Sequence, residues 1–419
     1  MTIFYDFLYA IFALIYFPFL IVRGKFHKDF SVRFGIFPLD LQGLIKNKKN
    51  IWIHAVSVGE ILAIVGLIDK LKAISSQYQI VCSTVTATGY TLAQEKLKDK
   101  AIVVYAPLDF SGVVERYVRL IKPRLYIAAE TEIWPNLYRA LNKSQIPIAM
   151  INGRISDQSF GGYQLVPLFI KNTLRHVTIF CMQTESDAER IVALGADPQK
   201  VQTLGNLKFD NATPQISVKL EDWGYDPGAW LLIAGSTHPG EEKILLEGYE
   251  RLRGQFPQLR LVIAPRHIER SSQIIRLIEA KGFQAKRFSE FPVAAGNSAK
   301  TIVVVDTIGH LRTLYSLATI VFVGKSLTGK GGQNIIEPAS LGKAIIVGPH
   351  TENFKDVVRI FLENKALVQV QSSEEFFREL KDVLENSERR EQLARQAKQV
   401  VEKNQGTTER IVEALKGLL

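Results

Sequence analysis

Carboxylates and a lysine stand at the ends of strand-like segments in the first half of the chain, where they could move a proton or stabilise charge. The apolar run Ile51–His54 leads through small residues and a glycine to Glu60, which opens an apolar-periodic segment. This order predicts strand, turn and helix, and open α/β sheets bind ligands beyond the carboxyl ends of such strands. The helix dipole is expected to keep Glu60 ionised at neutral pH, as a general base requires. In a simpler interpretation, Glu60 only caps the helix dipole.

Three further side chains are candidates for the same site. Glu130 and Glu132 come at the end of the apolar run that starts at Leu125, and side chains two apart on a strand share a face. Lys208 lies directly before a linker-like segment and could meet a phosphate or a sugar carboxylate. The alternative for all three is an ordinary solvated position.

In the second half, four segments that follow strand-like runs carry residues suited to phosphate or ribose. Small and hydroxyl residues from Gly235 could present backbone N–H groups to an anion. The planar fork of Arg266 suits a phosphate, and Glu337 could accept both hydroxyls of a ribose. The segments are Ala234–Glu242, Ala264–Arg270, Asp306–His310 and Gly331–Pro338.

Composition narrows the class of partner. The formal charge of +10 and pI near 9.3 indicate nucleic acid, acidic phospholipid or a phosphorylated substrate. Nucleic acid is the least supported, because no basic run interleaved with aromatics and no zinc-finger pattern occurs. Cys82 and Cys181 each lie in an apolar run, which predicts buried thiols of a reducing compartment. No Asp-x-Asp or HExxH motif is present, so no metal is expected, and cations with helix N-termini would stabilise a leaving phosphate.

The first residues predict a membrane anchor. No charged residue occurs from Phe7 to Val22, and Arg23, Lys25 and Lys28 follow. A span of this kind would place the basic side in the cytoplasm. An amphipathic helix that lies in the interface or packs on the protein is the alternative. Either arrangement puts the body of the protein at the inner face of a membrane.

From residue 50 onwards, strand-like runs alternate with helical patterns in two series, which predicts an α/β protein with parallel sheets. Between the series, Asn211–Ala229 is rich in Pro, Gly, Asp and Asn and reads as a linker. We therefore expect two doubly wound, Rossmann-like domains that face each other across a cleft. The expected boundaries are 1–24 for the anchor, 25–212 for the N-terminal domain and 213–419 for the C-terminal domain.

In seven segments the chain resembles the 3-deoxy-D-manno-octulosonic acid (Kdo) transferase family, membrane-anchored inverting glycosyltransferases of lipopolysaccharide assembly. The segments are His54–Glu60, Glu130–Asn136, Gly205–Asp210, Gly235–Glu241, Pro265–Arg270, Asp306–Gly309 and Asn334–Pro338. The resemblance implies a GT-B fold with an acceptor-binding N-terminal domain and a CMP-sugar-binding C-terminal domain. It implies CMP-Kdo as donor, a lipid A precursor (lipid IVA) as acceptor, the inner membrane as location and no cofactor.

The same resemblance implies roles for individual residues. Glu60 matches the general base, and Glu130 and Lys208 match positions that stabilise the transition state. Contacts to CMP are implied for Pro265, Arg266, Ile308, Gly309, His310, Asn334, Ile335, Ile336 and Glu337. With the base in one domain and CMP in the other, catalysis would require closure of the cleft.

The chain departs from the family pattern at three positions. His310 stands where glutamate is common, Gln333 where histidine is common, and Lys325 where glycine is frequent. Two other functions are compatible with the architecture. A sugar-nucleotide epimerase would need no anchor, and a non-catalytic nucleotide-sugar sensor would lose Glu60, Glu130 or Lys208.

Overall fold

The computed structural model describes residues 5–7, 9–11, 30–74, 77–210, 218–290 and 298–419. The chain divides into two compact units. The first comprises residues 1–211 and 404–419, and the second comprises residues 212–403. Each unit is built on one parallel sheet, which confirms the predicted α/β class and the two Rossmann-like sheets.

The sheet of the first unit has seven parallel strands in the order β3-β2-β1-β4-β5-β6-β7. Both of its faces are buried, as expected for a parallel sheet covered by helices. Trp52 packs on one face with Val81 and Tyr126, whereas Ile51 and Ile53 pack on the other. The strands are β1 (Asn50–His54), β2 (Gln79–Thr84), β3 (Ala101–Tyr105), β4 (Pro123–Ala129), β5 (Ile148–Gly153), β6 (Ile179–Met182) and β7 (Val201–Thr203).

The helices of the first unit begin at local sequence signals. Thr86, Ser156 and Thr184 each accept a backbone N–H three residues ahead, which caps the helix that follows. The helices are Leu39–Ile45, Val58–Ile74, Ala87–Lys96, Ser111–Ile121, Pro135–Lys143, Asp157–Gln164, Pro167–Leu174, Glu185–Ala193 and Thr407–Leu415.

The second unit also has a seven-stranded parallel sheet, in the order β10-β11-β9-β8-β12-β13-β14. Leu232 and Ala234 pack against Tyr249 and Phe376 of the covering helices. The strands are β8 (Trp230–Thr237), β9 (Leu259–Pro265), β10 (Gln284–Arg287), β11 (Thr301–Val304), β12 (Ile320–Val323), β13 (Ala344–Val347) and β14 (Val368–Gln369). The helices are Glu241–Leu252, Ser271–Ala280, Leu311–Leu317, Ile336–Ser340, Lys355–Glu363, Ser373–Glu385 and Ser387–Asn404.

The last residues of the chain belong to the first unit, in contrast to the expected C-terminal domain 213–419. The carboxylate of Asp210 accepts hydrogen bonds from the backbone N–H groups of Gly406 and Thr408, which holds the start of the helix Thr407–Leu415. The apolar face of that helix, with Ile411 and Leu415, completes the core on one side of the first sheet.

The predicted anchor, residues 1–24, lies mostly outside the described residues. Residues 5–7 and 9–11 are helical and pack on the first unit. Tyr5 stacks on Phe169, and Asp6 accepts hydrogen bonds from the backbone and hydroxyl of Ser111. None of the helices in the described ranges is long and apolar enough to cross a membrane.

Cys82 and Cys181 are buried on β2 and β6 as free thiols, which confirms their predicted burial. Burial raises the pKa of both thiols to about 12.

Candidate active site

Glu60 lies buried in the first turn of the helix Val58–Ile74, just beyond the carboxyl end of β1. Its Oε2 accepts the backbone N–H of Val56 at 2.6 Å, and its Oε1 accepts the Ser57 hydroxyl at 2.7 Å. The Ser57 oxygen in turn accepts the Glu60 N–H at 3.4 Å. This arrangement resembles a capping box, so Glu60 does help to begin the helix.

The pKa of Glu60 is raised to about 7, chiefly by burial and then by the nearby charge of Glu130. Hydrogen bonds from Ser57 and Val56 and the charge of Lys208 oppose this shift. Glu60 is therefore less readily ionised near neutral pH than the helix dipole alone predicts, because burial and the charge of Glu130 outweigh the stabilising groups. A pKa near the working pH is nevertheless the value that suits a general base.

Glu130 and Lys208 lie together at the same end of the sheet. The Lys208 Nζ is 3.5 Å from the Glu130 Oε1, and both side chains are partly exposed. Glu130 is the residue after β4 and has a φ of 62°, the left-handed region that non-glycine residues seldom adopt. Its backbone N–H donates to the Ile151 carbonyl on β5 at 2.8 Å, which fixes this conformation.

Glu132 belongs to the same group of carboxylates, although the strand that was expected to align it with Glu130 ends at Ala129. The indole N–H of Trp134 donates to the Glu132 Oε2 at 2.8 Å. Burial, followed by the charge of Glu60, raises the pKa of Glu132 to about 7. Glu60, Glu130 and Glu132 therefore act on one another electrostatically and form an acidic cluster beside Lys208.

The backbone around Lys208 is held by buried amide side chains that the sequence analysis did not identify. Asn206 accepts the Lys208 N–H at 3.0 Å and donates to Gln183 at 2.8 Å. The side-chain oxygen of Asn152 accepts the Leu207 N–H at 2.9 Å, and the backbone carbonyl of Asn152 accepts the Gln183 amide at 2.9 Å. Asn152 lies on β5, whereas Gln183 and Asn206 follow β6 and β7, so only the folded sheet brings them together and spacing in the sequence carries no signal of the network.

His54, at the end of β1, is a neutral core residue. Its Nδ1 lies 2.9 Å from the Ser83 hydroxyl, and its ring meets Trp134 edge to face. Burial lowers the pKa of His54 to about 4. It therefore supports the packing of Trp134, which in turn positions Glu132.

In the second unit, the loop after β8 is organised by the fully buried carboxylate of Glu241. Its two oxygens accept the backbone N–H groups of His238, Lys325, Ser326 and Leu327 at 2.8–2.9 Å. The expectation that the segment from Gly235 offers N–H groups to a bound anion fails at His238, because Glu241 accepts that donor. Lys325 has a φ of 57°, in the left-handed region that favours glycine.

Arg266, Asn334 and Glu337 lie close enough to interact in the second unit. Burial raises the pKa of Glu337, while Arg312, a hydrogen bond from Asn334 and the charge of Arg266 lower it. Asn334 also accepts the Ile336 N–H at 3.0 Å and so begins the helix Ile336–Ser340. The sequence analysis missed Arg312, which the helix Leu311–Leu317 brings beside Glu337.

The other residues predicted to contact CMP differ in how much of their side chain is exposed to a ligand. Ile308 is 82% exposed, Gly309 has a φ of 99°, and the ring of His310 packs against Phe288. Pro265, Ile335 and Ile336 are buried, so their side chains belong to the core and any contact to a ligand would come from their backbone. Among the described residues, no group of three His, Cys, Asp or Glu side chains is arranged to hold a metal ion.

Comparisons with known proteins agree with the two-unit architecture. A family model described as 3-deoxy-D-manno-octulosonic-acid transferase (kdotransferase) matches residues 28–211, and a glycosyl transferases group 1 model matches residues 241–400. A putative UDP-N-acetylglucosamine 2-epimerase structure from Listeria monocytogenes aligns with a TM-score of 0.59 at 14% identity. That alignment covers 88% of this chain and 96% of the other, and it shows a shared GT-B-like fold.

Two curated relatives are similar to most of this chain, and the second of them carries the family assignment. A bifunctional glycosyltransferase/methyltransferase from Fusobacterium nucleatum is 36% identical over 81% of this chain, and the chain spans about half, 53%, of that protein. A 3-deoxy-D-manno-octulosonic acid transferase from Haemophilus influenzae is 31% identical over 88% of this chain and 87% of its own length. The chain therefore belongs to the 3-deoxy-D-manno-octulosonic acid transferase family of glycosyltransferases.

Proposed function

We propose that this protein transfers Kdo from CMP-Kdo to a lipid A precursor with inversion at the anomeric carbon. The observation that carries the proposal is the acidic cluster of the first unit, in which Glu60 has a pKa of about 7 next to the Glu130–Lys208 pair. A hydroxyl acceptor needs a base of this kind at the moment of attack. The chemistry of donor and acceptor is taken from the family to which the chain belongs.

In the proposed step, the acceptor hydroxyl oxygen attacks the anomeric carbon of Kdo while Glu60 takes its proton. The bond from that carbon to the phosphate oxygen breaks, and its electron pair leaves with CMP. Lys208 and Glu130 would stabilise the charges that develop around the reacting sugar. In the second unit, Arg266 would bind the phosphate and Glu337 the ribose hydroxyls, with backbone contacts from the segments at Ile308–His310 and Asn334–Ile336.

We further propose that the enzyme works at the cytoplasmic face of the inner membrane, where a lipid acceptor would be presented. The uncharged stretch Phe7–Val22 and the net charge of +10 support this location. The first unit would bind the acceptor and the second unit the CMP-sugar.

The direct test is to mix the full chain with CMP-Kdo and tetra-acylated lipid A precursor in detergent. Release of CMP together with a lipid mass increase of one or more Kdo units is expected. An epimerase would change the sugar without increasing the lipid mass, and a non-catalytic sensor would bind CMP without releasing it from the sugar. Either result would refute the proposal.

The pH dependence of transfer should report the acidic cluster. We expect kcat/KM to fall as the pH drops below about 7, because protonated Glu60 cannot accept the acceptor proton. Glu130→Gln should move the midpoint to lower pH and Lys208→Met should move it to higher pH, since Glu130 raises and Lys208 lowers the pKa of Glu60. The measurement is kcat/KM from pH 5 to 9 for the three proteins. Coincident midpoints would contradict the assignment.

Arg266→Ala should weaken CMP binding by roughly 1.5–3 kcal/mol, the usual loss for a hydrogen bond to a charged group. Arg276→Ala is the matched control, because Arg276 is also an exposed arginine of the second unit and lies on the helix Ser271–Ala280. Calorimetry with CMP gives both dissociation constants. Equal constants for the two variants would show that Arg266 does not contact the nucleotide.

A further inference from the structure

The carboxylate of Glu60 is covered by two hydrogen-bond donors, one of which is a hydroxyl. Glu60 is 7% exposed, whereas Ser57 is more accessible. The Ser57 hydroxyl donates to the Glu60 Oε1 at 2.7 Å, and the backbone N–H of Val56 donates to the Oε2 at 2.6 Å. Of these two donors, only the hydroxyl can readily give up one proton and take another. Ser57 is therefore placed between the buried carboxylate and a ligand that approaches from outside.

The Ser57 oxygen can accept one more hydrogen bond. A hydroxyl donates one hydrogen bond and accepts two. Its hydrogen is directed to Glu60, and one of its lone pairs accepts the Glu60 backbone N–H at 3.4 Å. Within the part of the chain that the structure describes, no donor occupies the second lone pair. That position suits the hydroxyl of an acceptor.

A second serine and glutamate pair in the chain shows what helix capping alone requires. In the second unit, Ser372 accepts the Glu375 N–H at 3.2 Å, and the Glu375 carboxylate accepts the backbone N–H before Ser372 at 2.7 Å. The other oxygen of Glu375 accepts from Arg378 at 2.9 Å rather than from the serine. A helix start of this kind therefore needs no bond from the hydroxyl to the carboxylate. The bond between Ser57 and Glu60 is an additional feature of the candidate active site.

We propose that the proton of the acceptor hydroxyl reaches Glu60 through the hydroxyl of Ser57. The inference rests on the proposed function, because it concerns the proton that the acceptor loses during sugar transfer. As the acceptor oxygen bonds to the anomeric carbon, its proton passes to the Ser57 Oγ, and the Ser57 hydrogen passes to the Glu60 Oε1. The bond from the anomeric carbon to the phosphate oxygen breaks, and its electron pair leaves with CMP. Ser57 ends the step as a neutral hydroxyl and Glu60 as a carboxylic acid.

The variant Ser57→Ala distinguishes this relay from a serine that only positions Glu60. The Ser57 hydrogen bond lowers the pKa of Glu60, so its loss should move the midpoint of kcat/KM to higher pH in both cases. A positioning serine predicts that turnover returns to the wild-type level at pH 9, where Glu60 is ionised in both proteins. A relay predicts a loss of about 100-fold that persists at pH 9. The measurement is the single-turnover rate of CMP release, from pH 6 to 9, with CMP-Kdo and lipid A precursor.

Two further variants test whether the hydroxyl itself is responsible. Ser57→Thr keeps a hydroxyl and a helix cap, and it should retain at least about a third of wild-type turnover. Ser372→Ala is the matched control, because it removes a capping serine three residues before a glutamate in the second unit. It should keep full turnover. Circular dichroism at the assay temperature shows whether each variant is folded.

Two outcomes would overturn the proposal. Recovery of Ser57→Ala to within about threefold of wild-type turnover at pH 9 would leave Ser57 as a positioning residue. A folded Ser57→Thr protein as inactive as Ser57→Ala would show that the hydroxyl is not what turnover requires. Failure of the proposed function would be seen differently, because the wild-type protein itself would then transfer no Kdo to the lipid.

Discussion

Replacing Glu60 with glutamine is expected to reduce sugar transfer by about 100- to 10,000-fold, the usual effect of removing a general base. The amide keeps the shape of the side chain and can still accept one hydrogen bond, but it cannot take the acceptor proton. CMP affinity should stay within the error of calorimetry, because the residues proposed to bind CMP belong to the second unit.

The control for this variant is Glu95→Gln, which makes the same replacement of a carboxylate by an amide at an exposed position. Glu95 lies on the helix Ala87–Lys96 of the same unit. It should retain full turnover. A Glu60→Gln protein that keeps more than about a tenth of wild-type turnover would exclude the assigned role, since base removal costs at least 100-fold. The assay is CMP release from CMP-Kdo with the lipid A precursor as acceptor.

Replacing Glu241 with glutamine should destabilise the second unit strongly. The carboxylate accepts four backbone N–H groups, two on each oxygen, and an amide can accept on one oxygen only. Each buried donor left unpaired costs about 1–3 kcal/mol, so a loss of roughly 2–4 kcal/mol is expected for two donors that are in part solvent-accessible.

Urea unfolding of the second unit, followed by hydrogen exchange of its strands, measures this loss. Glu250→Gln on the same helix is the matched control, because its side chain is exposed and only faces Lys281 at 3.7 Å. CMP binding by Glu241→Gln should also weaken, since the loop at Lys325–Leu327 loses its fixed position. Equal midpoints for the two variants would contradict the role given to Glu241.

Apolar runs in the sequence were sufficient to predict most strands, because parallel strands buried on both faces consist almost entirely of apolar residues. The residues of strand β10 do not form an apolar run, so this signal does not predict it. It is the polar edge strand Gln284–Arg287, and charge on an edge strand protects it from pairing with other chains. The pattern and composition of apolar residues therefore predict the central strands of a sheet better than its edge strands.

The candidate site was predictable only in part. Glu60, Glu130 and Lys208 were chosen individually from strand ends and family resemblance, and the fold brings them into one electrostatic cluster. The protonation behaviour of Glu60 could not be predicted, because it depends on burial and on Glu130, which lies 70 residues away in the sequence. The hydrogen bonds of the amide network around Asn206, and those between Glu241 and the loop at Lys325–Leu327, also join residues that are far apart in the sequence. No local sequence pattern predicts them.

The helix Thr407–Leu415, which packs into the core of the first sheet, has a consequence for how the protein is made. Because the ribosome produces this helix after the entire second unit, the first unit cannot bury Ile411 and Leu415 while it is emerging. Its nascent form would keep an open apolar face until residues 218–403 have been translated. Folding during synthesis would then favour early completion of the later unit, an inversion of the usual N-terminal-first order. Expression of residues 25–212 alone would leave that apolar face exposed. Fusion of residues 404–419 to them would supply the helix that covers it.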